Sequence, residues 1–419
     1  MKFIAGFAFV LMMVGLMFCS PDNKADSYRA SDYPDRIMLN MPGNPAHCRA
    51  VTWRTSRKIK QARAQYAVAG SYVPDSASVV TVDGETVFSG KGIRTHKSHK
   101  VIFRDLTPDT RYVYRVGDGK KWSEWNHFMT SDTGLQPFSF LYFGDIQNGI
   151  REQCSRVVRQ AFSQFSQADF FLFTGDLVNR ASDRQWQDFY QTGGWIFTMK
   201  PSIATPGNHE FTDLGIVKTF SSHWDQFFVH PANGPESLMN RMYYLDYQGV
   251  RFVSLDGYSL KNFPSCHPLV KEWLNNVLGD NPNKWTIIMN HYPVYSCTLN
   301  RDNRETRDLL LPLLEQFKVD LVLQGHDHTY CRGQHPSAVH NGAWSPVYVV
   351  SVAGPKANDI RPLQWGQKAG ADIQLYQYIS VSGDSLSYSS WAVNQKLFDA
   401  FMLVKQQGQN NRVAEGVWF

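Results

Sequence analysis

Net charge is scarce in this sequence: 42 lysines and arginines against 37 aspartates and glutamates leave +5 over 419 residues. Spread that thin, it excludes a nucleic-acid protein held by a basic face, though not a local phosphate pocket. The densest basic stretch, KGIRTHKSHK at 91–100, reads as a solvated hairpin edge. Internal repeats are missing, and so are low-complexity tracts beyond a short polar linker after the N-terminus. No Ser–His or Cys–His arrangement offers itself as a nucleophile and base, which removes covalent catalysis from the front rank. Cysteine is sparse, at six residues. What is present in quantity is apolar residues, 43% against 19% charged, the balance of a globular chain. At this length two domains are expected.

The N-terminus changes the address. MKFIAGFAFVLMMVGLMFCS has one lysine, an uninterrupted apolar run and then Cys19, followed by the polar PDNKADS. The run is short for a spanning helix and suits a signal-peptide core over 1–19, with a linker over 20–34. Its end resembles a bacterial lipoprotein signal, in which Cys19 would carry the lipid. Phe18 stands where that pattern has a small residue, so a plain secretory signal is the alternative. Either way the expected location is outside the cytoplasm, periplasmic or at the cell surface, membrane-anchored if Cys19 is lipidated. Cys48, Cys154, Cys266, Cys297 and Cys331 then remain, an odd number. Either one disulfide forms among Cys266, Cys297 and Cys331, or all are buried thiols.

From about 35 to 131 the chain alternates short strand-like segments with turns: HCRAVTWRT, RAQYAVA, SVVTVDG, KVIFRDL, RYVYRVGDG. Within it VTVDGETVF carries an Asp-Gly hairpin signal. This resembles a fibronectin type III-like sandwich and holds nothing catalytic. Past FMTSDTGLQP, strands (FSFLYF, DFFLF, SIAT, WTIIM, DLVL) alternate with helical patterns (CSRVVRQAFSQF, DRQWQDFYQ, LVKEWLNNVL, RDLLLPLLEQF), which predicts a layered α/β domain over 138–393. MYYLDYQGVRFVSLDG reads as a hairpin inserted in it, and 394–419 as an extension that completes the sheet. The fold class is therefore multidomain, a β-sandwich followed by an α/β domain.

The chemistry follows the strands. FSFLYF runs into Asp145 and Gln147, DFFLF into Asp176 and Asn179, SIAT into Asn208, His209 and Glu210. WTIIM runs into His291, and DLVLQ into GHDH with His326 and His328. In open α/β sheets ligands bind past the carboxyl ends of the strands. Read as extended chain, His326 and His328 would face one side. Oxygen and nitrogen donors without cysteine suit hard to intermediate divalent metals, and the set exceeds what one tetrahedral ion needs. Glycines before Asp145, Asp176, Asn208 and His326 let the backbone turn tightly beside the ions.

The series GD…GDxxN…GNHE…HYPVY…GHDH resembles the metallophosphoesterase signature, and the sandwich ahead of it is similar to that of the purple acid phosphatase-like branch. The resemblance spans roughly 35 to 393 in order. It implies two ions per chain (iron, zinc or manganese), with Asp145 and His328 on one, Asn208, His291 and His326 on the other, and Asp176 bridging. It further implies hydrolysis of phosphomonoesters by metal-activated hydroxide, with His209 touching phosphate and acting as the acid. Three positions depart from the pattern. Asn179 replaces the tyrosine that binds ferric iron and gives the colour. Gln147 stands where the wider superfamily often has a histidine ligand, and its amide oxygen could bind the first ion or orient its water. Arg301 stands where plant-type members have a second acid histidine. Arg301 and Arg304 are candidate phosphate clamps, and Arg307 a helix-surface charge. A phosphodiesterase on nucleotide or glycerol phosphates would use the same ligands. A glycan-binding surface protein with a vestigial metal site is the reading from another class, and the complete donor set argues against it.

His47, His96, His99 and His127 in the sandwich, and His223, His230, His335 and His340 in loops, are expected in surface or capping roles. His267 lies near a possible rim.

Overall fold

The computed structural model describes residues 28–72, 74–89, 95–213, 218–335, 343–361 and 365–416. The apolar N-terminal run, Cys19, the first part of the linker and His340 lie outside the described residues.

The sandwich is built from Asp35–Asn40, Arg49–Ser56, Ala62–Val68, Val80–Ser89, His96–Phe103, Arg111–Gly117 and Asn126–Met129. Its core gathers the inward residues of these strands, among them Leu39, Val51, Trp53, Phe103, Tyr114 and Phe128. Two expectations fail here. The Asp83-Gly84 pair makes no hairpin, because Val80–Ser89 runs straight through it. Residues up to Gly84 pair with Ala62–Val68, and those from Glu85 on pair with His96–Phe103. The strand thus changes partner at the glycine. A Cβ there would stand 2.6 Å from the Lys100 carbonyl oxygen, so Gly84 serves close backbone approach rather than a turn. The described part of the basic stretch is no edge either: His96–Phe103 lies between two strands and buries His96 and His99.

In the α/β domain two sheets pack face to face with helices outside. Phe138–Phe143, Phe170–Phe173 and Ser202–Ala204 run parallel in the first. Leu375–Ser382, Ser385–Ala392, Leu397–Val404 and Arg412–Glu415 extend it antiparallel, so the C-terminal residues complete this sheet as expected. The second sheet orders Tyr243–Tyr247, Val250–Leu255, Trp285–Asn290, Leu321–Gln324, Val347–Val350, Tyr330–Gly333 and Gly366–Gly370. The inserted hairpin is its Tyr243–Leu255 edge. FSFLYF and FFLF are buried throughout because both faces are covered. Leu141, Phe143, Phe171 and Phe173 meet the helices Ser155–Gln164 and Asp183–Gly193. Phe140, Tyr142, Phe170 and Leu172 alternate with them to meet Phe252, Ile287 and Leu321 of the second sheet.

The two units share a sheet edge, Asn40 pairing with Ser202. Arg36 donates to Asp183 at 2.6 Å and to Gln187 at 2.6 Å, and Tyr114 donates to the Thr198 carbonyl at 2.6 Å. These buried bonds, those of Arg36 charge-assisted, fix one relative placement of the units. The five described cysteines are free. No disulfide joins Cys266, Cys297 and Cys331. Cys297 and Cys331 are buried, and the Cys297 thiol hydrogen-bonds the Thr329 hydroxyl at 2.9 Å.

Candidate metal centre

Five loops past the carboxyl ends of Phe138–Phe143, Phe170–Phe173, Ser202–Ala204, Trp285–Asn290 and Leu321–Gln324 converge between the two sheets. They are tied to one another by backbone. Ile146 and Gln147 donate to the Asp176 carbonyl at 3.0 and 2.9 Å, and Gly325 to the His291 carbonyl at 3.1 Å. The result is two groups of donors that could each hold an ion, Asp145, Asp176 and His328, and Asp176, His291 and His326. The buried Asp176 belongs to both.

Asp176 Oδ2 lies 3.2 Å from His291 Nε2 and accepts from Gln147 Nε2 at 2.9 Å, while Oδ1 accepts from the His209 N–H at 2.8 Å. His291 donates Nδ1–H to the Thr174 carbonyl at 2.7 Å, leaving Nε2 free to bind. Asn208 Oδ1 lies 3.3 Å from that Nε2. Asp145 Oδ1 accepts from the His326 N–H at 2.6 Å, and Oδ2 lies 3.3 Å from His328 Nε2. Asp145 Oδ2, Gln147 Oε1 and His328 Nδ1 are buried without hydrogen-bond partners. Buried polar atoms are seldom left so, and of these Asp145 Oδ2 lies among the donors, where an unpartnered carboxylate oxygen fits a cation.

The electrostatics agree. Burial, then the charge of Asp176, pushes Asp145 up to about 7 although His291 works against it. Burial works to raise Asp176 too, but His291 and His209 together outweigh it and hold the carboxyl below its ordinary range. Burial opposes the charged form of His291, yet Asp176 and Asp145 lift it to about 9. Burial drives His328 down to about 3 and His326 well down. Two carboxylates closed off from water this way call for positive charge.

Backbone conformation is part of the site. Asp176, His326 and His328 have φ of 50°, 72° and 53°, left-handed values that cost free energy. The two histidines therefore reach different donor groups through bends, and not from one face of an extended strand. Gly175 has φ of 88°, and a Cβ on it would stand 2.4 Å from the Gly207 nitrogen. A Cβ on Gly325 would stand 2.3 Å from Asp145 Oδ1. Both positions admit only glycine.

His209, with its side chain 30% exposed, sits at the mouth with Nε2 3.9 Å from Asp176 Oδ2. Its Nδ1–H donates to the Asn179 carbonyl at 2.7 Å, which aims Nε2 at the centre. Arg301 donates from Nη1 to the His326 carbonyl at 2.6 Å and to Asp327 at 3.2 Å, placing its guanidinium beside the second donor group. Arg304 is brought nowhere near: it lies exposed on its helix against Asp308. Its place in the first turn of Arg304–Gln316 points it to solvent. Arg307 pairs with Asp302. Tyr330 faces the core, donating to Asp399 at 2.7 Å.

The sequence places Glu210 at the site without a role, and it does not single out Lys261, Lys356 or the strand ahead of Lys356. Glu210 is buried and accepts from the backbone N–H groups of Asp176, Leu177 and Gly207 at 2.9, 2.9 and 2.7 Å. Burial, then Asp176, raises its carboxyl to about 7. A sixth strand, Val347–Val350, also ends here: the Gly354 N–H donates to the Asp145 carbonyl at 2.6 Å. The exposed Lys356 on that loop puts its charge near His328, as Lys261 and Arg301 do near His326. The signal was available in the run SPVYVVSVAGPK. Of the remaining histidines, His230 is a core residue, stacked on Tyr243 at 4.2 Å and accepting from the Ala204 N–H. His267 bonds the Leu260 carbonyl.

Comparison with known proteins gives two family matches: calcineurin-like phosphoesterase over residues 138–330, and purple acid phosphatase, N-terminal domain, over 34–130. Purple acid phosphatase 18 of Arabidopsis thaliana is 25% identical over 335 residues, 76% of this chain and 70% of its own. The Fe(3+)-Zn(2+) purple acid phosphatase 12 of the same plant is 24% identical over 375 residues, 80% of this chain and 78% of its own. Among solved structures, a purple acid phosphatase from yellow lupin seeds superposes with a TM-score of 0.72, covering 90% of this chain and 75% of that one. At 18% identity that likeness shows the fold.

Proposed function

We propose that this chain, which belongs to the calcineurin-like metallophosphoesterases and carries a purple acid phosphatase N-terminal domain, is an exported phosphomonoesterase working with two metal ions. The observation that carries the reading is Asp176, one buried carboxylate common to two donor groups. Asp145 and His328 would hold one ion, and Gln147, whose amide Nε2 lies 2.9 Å from both Asp176 Oδ2 and His328 Nε2, would bind it through Oε1 once the amide is reversed or orient its water as it stands. Asn208, His291 and His326 would hold the other, iron, zinc or manganese being the candidates. Bound there, the pair would acidify a water and neutralise phosphate oxygens.

The chain supplies the rest. Arg301 has a guanidinium edge left for phosphate, and Lys261 and Lys356 add positive charge at the mouth, which favours a dianionic monoester over a singly charged diester. His209, its Nδ1 anchored on Asn179, donates a proton from Nε2 to the leaving oxygen. That proton matters most when the leaving group is a poor one. His209→Ala should therefore slow alkyl phosphates about a hundredfold and an activated aryl ester no more than about tenfold. The measurement is kcat/KM on matched alkyl and aryl monoesters and a diester, with metal content determined on the same preparation. A wild type that prefers the diester replaces this reading with a phosphodiesterase.

Asn179 bears on colour. Its carbonyl is spent on His209 and its N–H on Gln185 at 2.7 Å, and no phenol stands in its place. The iron-loaded protein should lack a strong visible tyrosinate band. If the band is found, Tyr292 is its source to test: its ring meets His326 edge-on at 4.2 Å, whereas Tyr330 is turned to the core.

Export rests on the N-terminal run and Cys19 alone. Cells fed labelled palmitate should incorporate it into the wild type and not into Cys19→Ser. Equal labelling of both removes the lipid anchor.

A further inference from the structure

Asp327 stands between His326 and His328 in the sequence, yet it belongs to neither donor group and is wholly buried. A buried carboxylate not spent on an ion has to be matched by hydrogen-bond donors. Its Oδ2 accepts from the Ser296 hydroxyl at 2.7 Å and from the Cys297 N–H at 2.8 Å. Its Oδ1 accepts from Arg301 Nη1 at 3.2 Å. The backbone of the same residue is held as firmly. Its N–H donates to the Gly325 carbonyl at 2.9 Å, and its own carbonyl accepts from the Thr298 hydroxyl at 3.0 Å and from Asn358 Nδ2 at 2.9 Å. One residue thus joins the loops behind three neighbouring strands, Trp285–Asn290, Leu321–Gln324 and Val347–Val350.

The turn it anchors is a costly one. His326 and His328, on either side, have φ of 72° and 53°, values that side chains of this size keep only where the surroundings impose them. Those bends send the two imidazoles to different donor groups. The bonds of Asp327 are what the turn has to hold it in place.

The same bonds set Arg301. It lies in the loop ahead of the helix Arg304–Gln316 with its side chain 31% exposed, where a chain of that length would otherwise sample many rotamers. Nη1 is instead caught between the His326 carbonyl, at 2.6 Å, and Asp327 Oδ1. Nε and Nη2 have no hydrogen-bond partner among the described residues, so one edge of the fork is left for an anion. Because the guanidinium is planar, fixing one edge fixes the direction of the other.

We propose that Asp327 is a positioning residue for phosphate: acting through Arg301, it holds the free guanidinium edge in fixed relation to the histidines that bind the ions. The proposal rests on the phosphoesterase reading above. Its test uses the full metal-loaded chain with Asp327→Asn, Arg301→Ala and the two combined. Affinity for inorganic phosphate is followed by calorimetry, KM and kcat are measured on phenyl phosphate, and metal content and circular dichroism melts are taken on the same preparations. The amide keeps one oxygen for the Cys297 N–H and turns its own N–H against Arg301, so the loop stays tied while the arginine is released. Asp327→Asn should weaken phosphate binding and raise KM about tenfold, with kcat changed far less and two ions per chain retained. Arg301→Ala should do the same. The double variant should be no weaker than Arg301→Ala alone, because both changes remove one contact.

A lower melting temperature with phosphate affinity and KM unchanged makes Asp327 a structural residue and overturns the proposal. Additive losses in the double variant overturn it too, as does an Arg301→Ala variant that binds phosphate like the wild type. Should Asp327→Asn fail to fold, Arg301→Lys decides. One ammonium cannot serve the loop and a phosphate together, so a loss of about tenfold supports the proposal and near-native phosphate affinity overturns it. A wild type that holds two ions and binds phosphate but turns over no ester removes the phosphoesterase reading, and the comparison of phosphate affinities still decides the role of Asp327.

Discussion

Asp176→Asn should abolish turnover and bring metal content below two ions per chain while the fold persists. The carboxylate is shared by both donor groups, so removing its charge weakens two ions with one atom change. Asparagine keeps an oxygen to accept from the His209 N–H, and it tolerates the left-handed backbone, here φ of 50°, about as well as aspartate. The loss should therefore appear in metal analysis and kcat with the circular dichroism spectrum unchanged, kcat dropping by at least about a thousandfold. A variant that retains two ions and near-native turnover would remove Asp176 from the bridging role.

The strands that feed the site were legible because burial on both faces writes them as uninterrupted apolar runs. FSFLYF is Phe138–Phe143 without adjustment, and WTIIM and DLVL are displaced by a residue at most at either end. The donors after them were legible for a related reason: a carboxylate or imidazole directly behind such a run has few other uses. What escaped was whatever depends on a partner distant in sequence. Gly84 looks like a turn residue beside Asp83, and only its approach to Lys100 reveals a strand exchanging partners. The two histidines of GHDH have spacing that suits a strand, yet left-handed backbone sends them to different donor groups. Arg304 is three residues from Arg301, but Arg301 lies in the loop ahead of the helix, beside His326, whereas Arg304 opens the helix on its exposed side. Lys356 was overlooked because its strand ends in a lysine-bearing loop, and cations at strand ends do not announce a metal site.

Glu210 is the clearest case of function hidden behind a motif. Its carboxylate carries no metal role, yet it closes three backbone N–H groups: one on the bridging Asp176, one on Leu177 beside it and one on Gly207 just before Asn208. Each would otherwise be a buried unpaired donor. The side chain thus fixes the distance between the loop that bridges and the loop that brings Asn208 and His209. Glu210→Gln cannot preserve this, because both carboxylate oxygens are used as acceptors and the amide sets an N–H against an N–H. The expected destabilisation is about 3 kcal/mol, the cost of an orphaned buried donor plus lost charge-assisted bonds. The effect on chemistry should exceed the effect on folding: a shift of a fraction of an ångström between the two loops misplaces Asp176 relative to Asn208, and about a hundredfold loss of kcat is expected from misplacement of that order. Thermal melts in chelator and in excess zinc separate the two contributions. The variant should melt lower in both, and the stabilisation gained from zinc should be smaller than in the wild type, since part of the binding free energy is spent restoring the loop geometry. If Glu210→Gln melts like the wild type and gains as much from zinc, the bracing role is wrong and the three backbone donors are satisfied by other means.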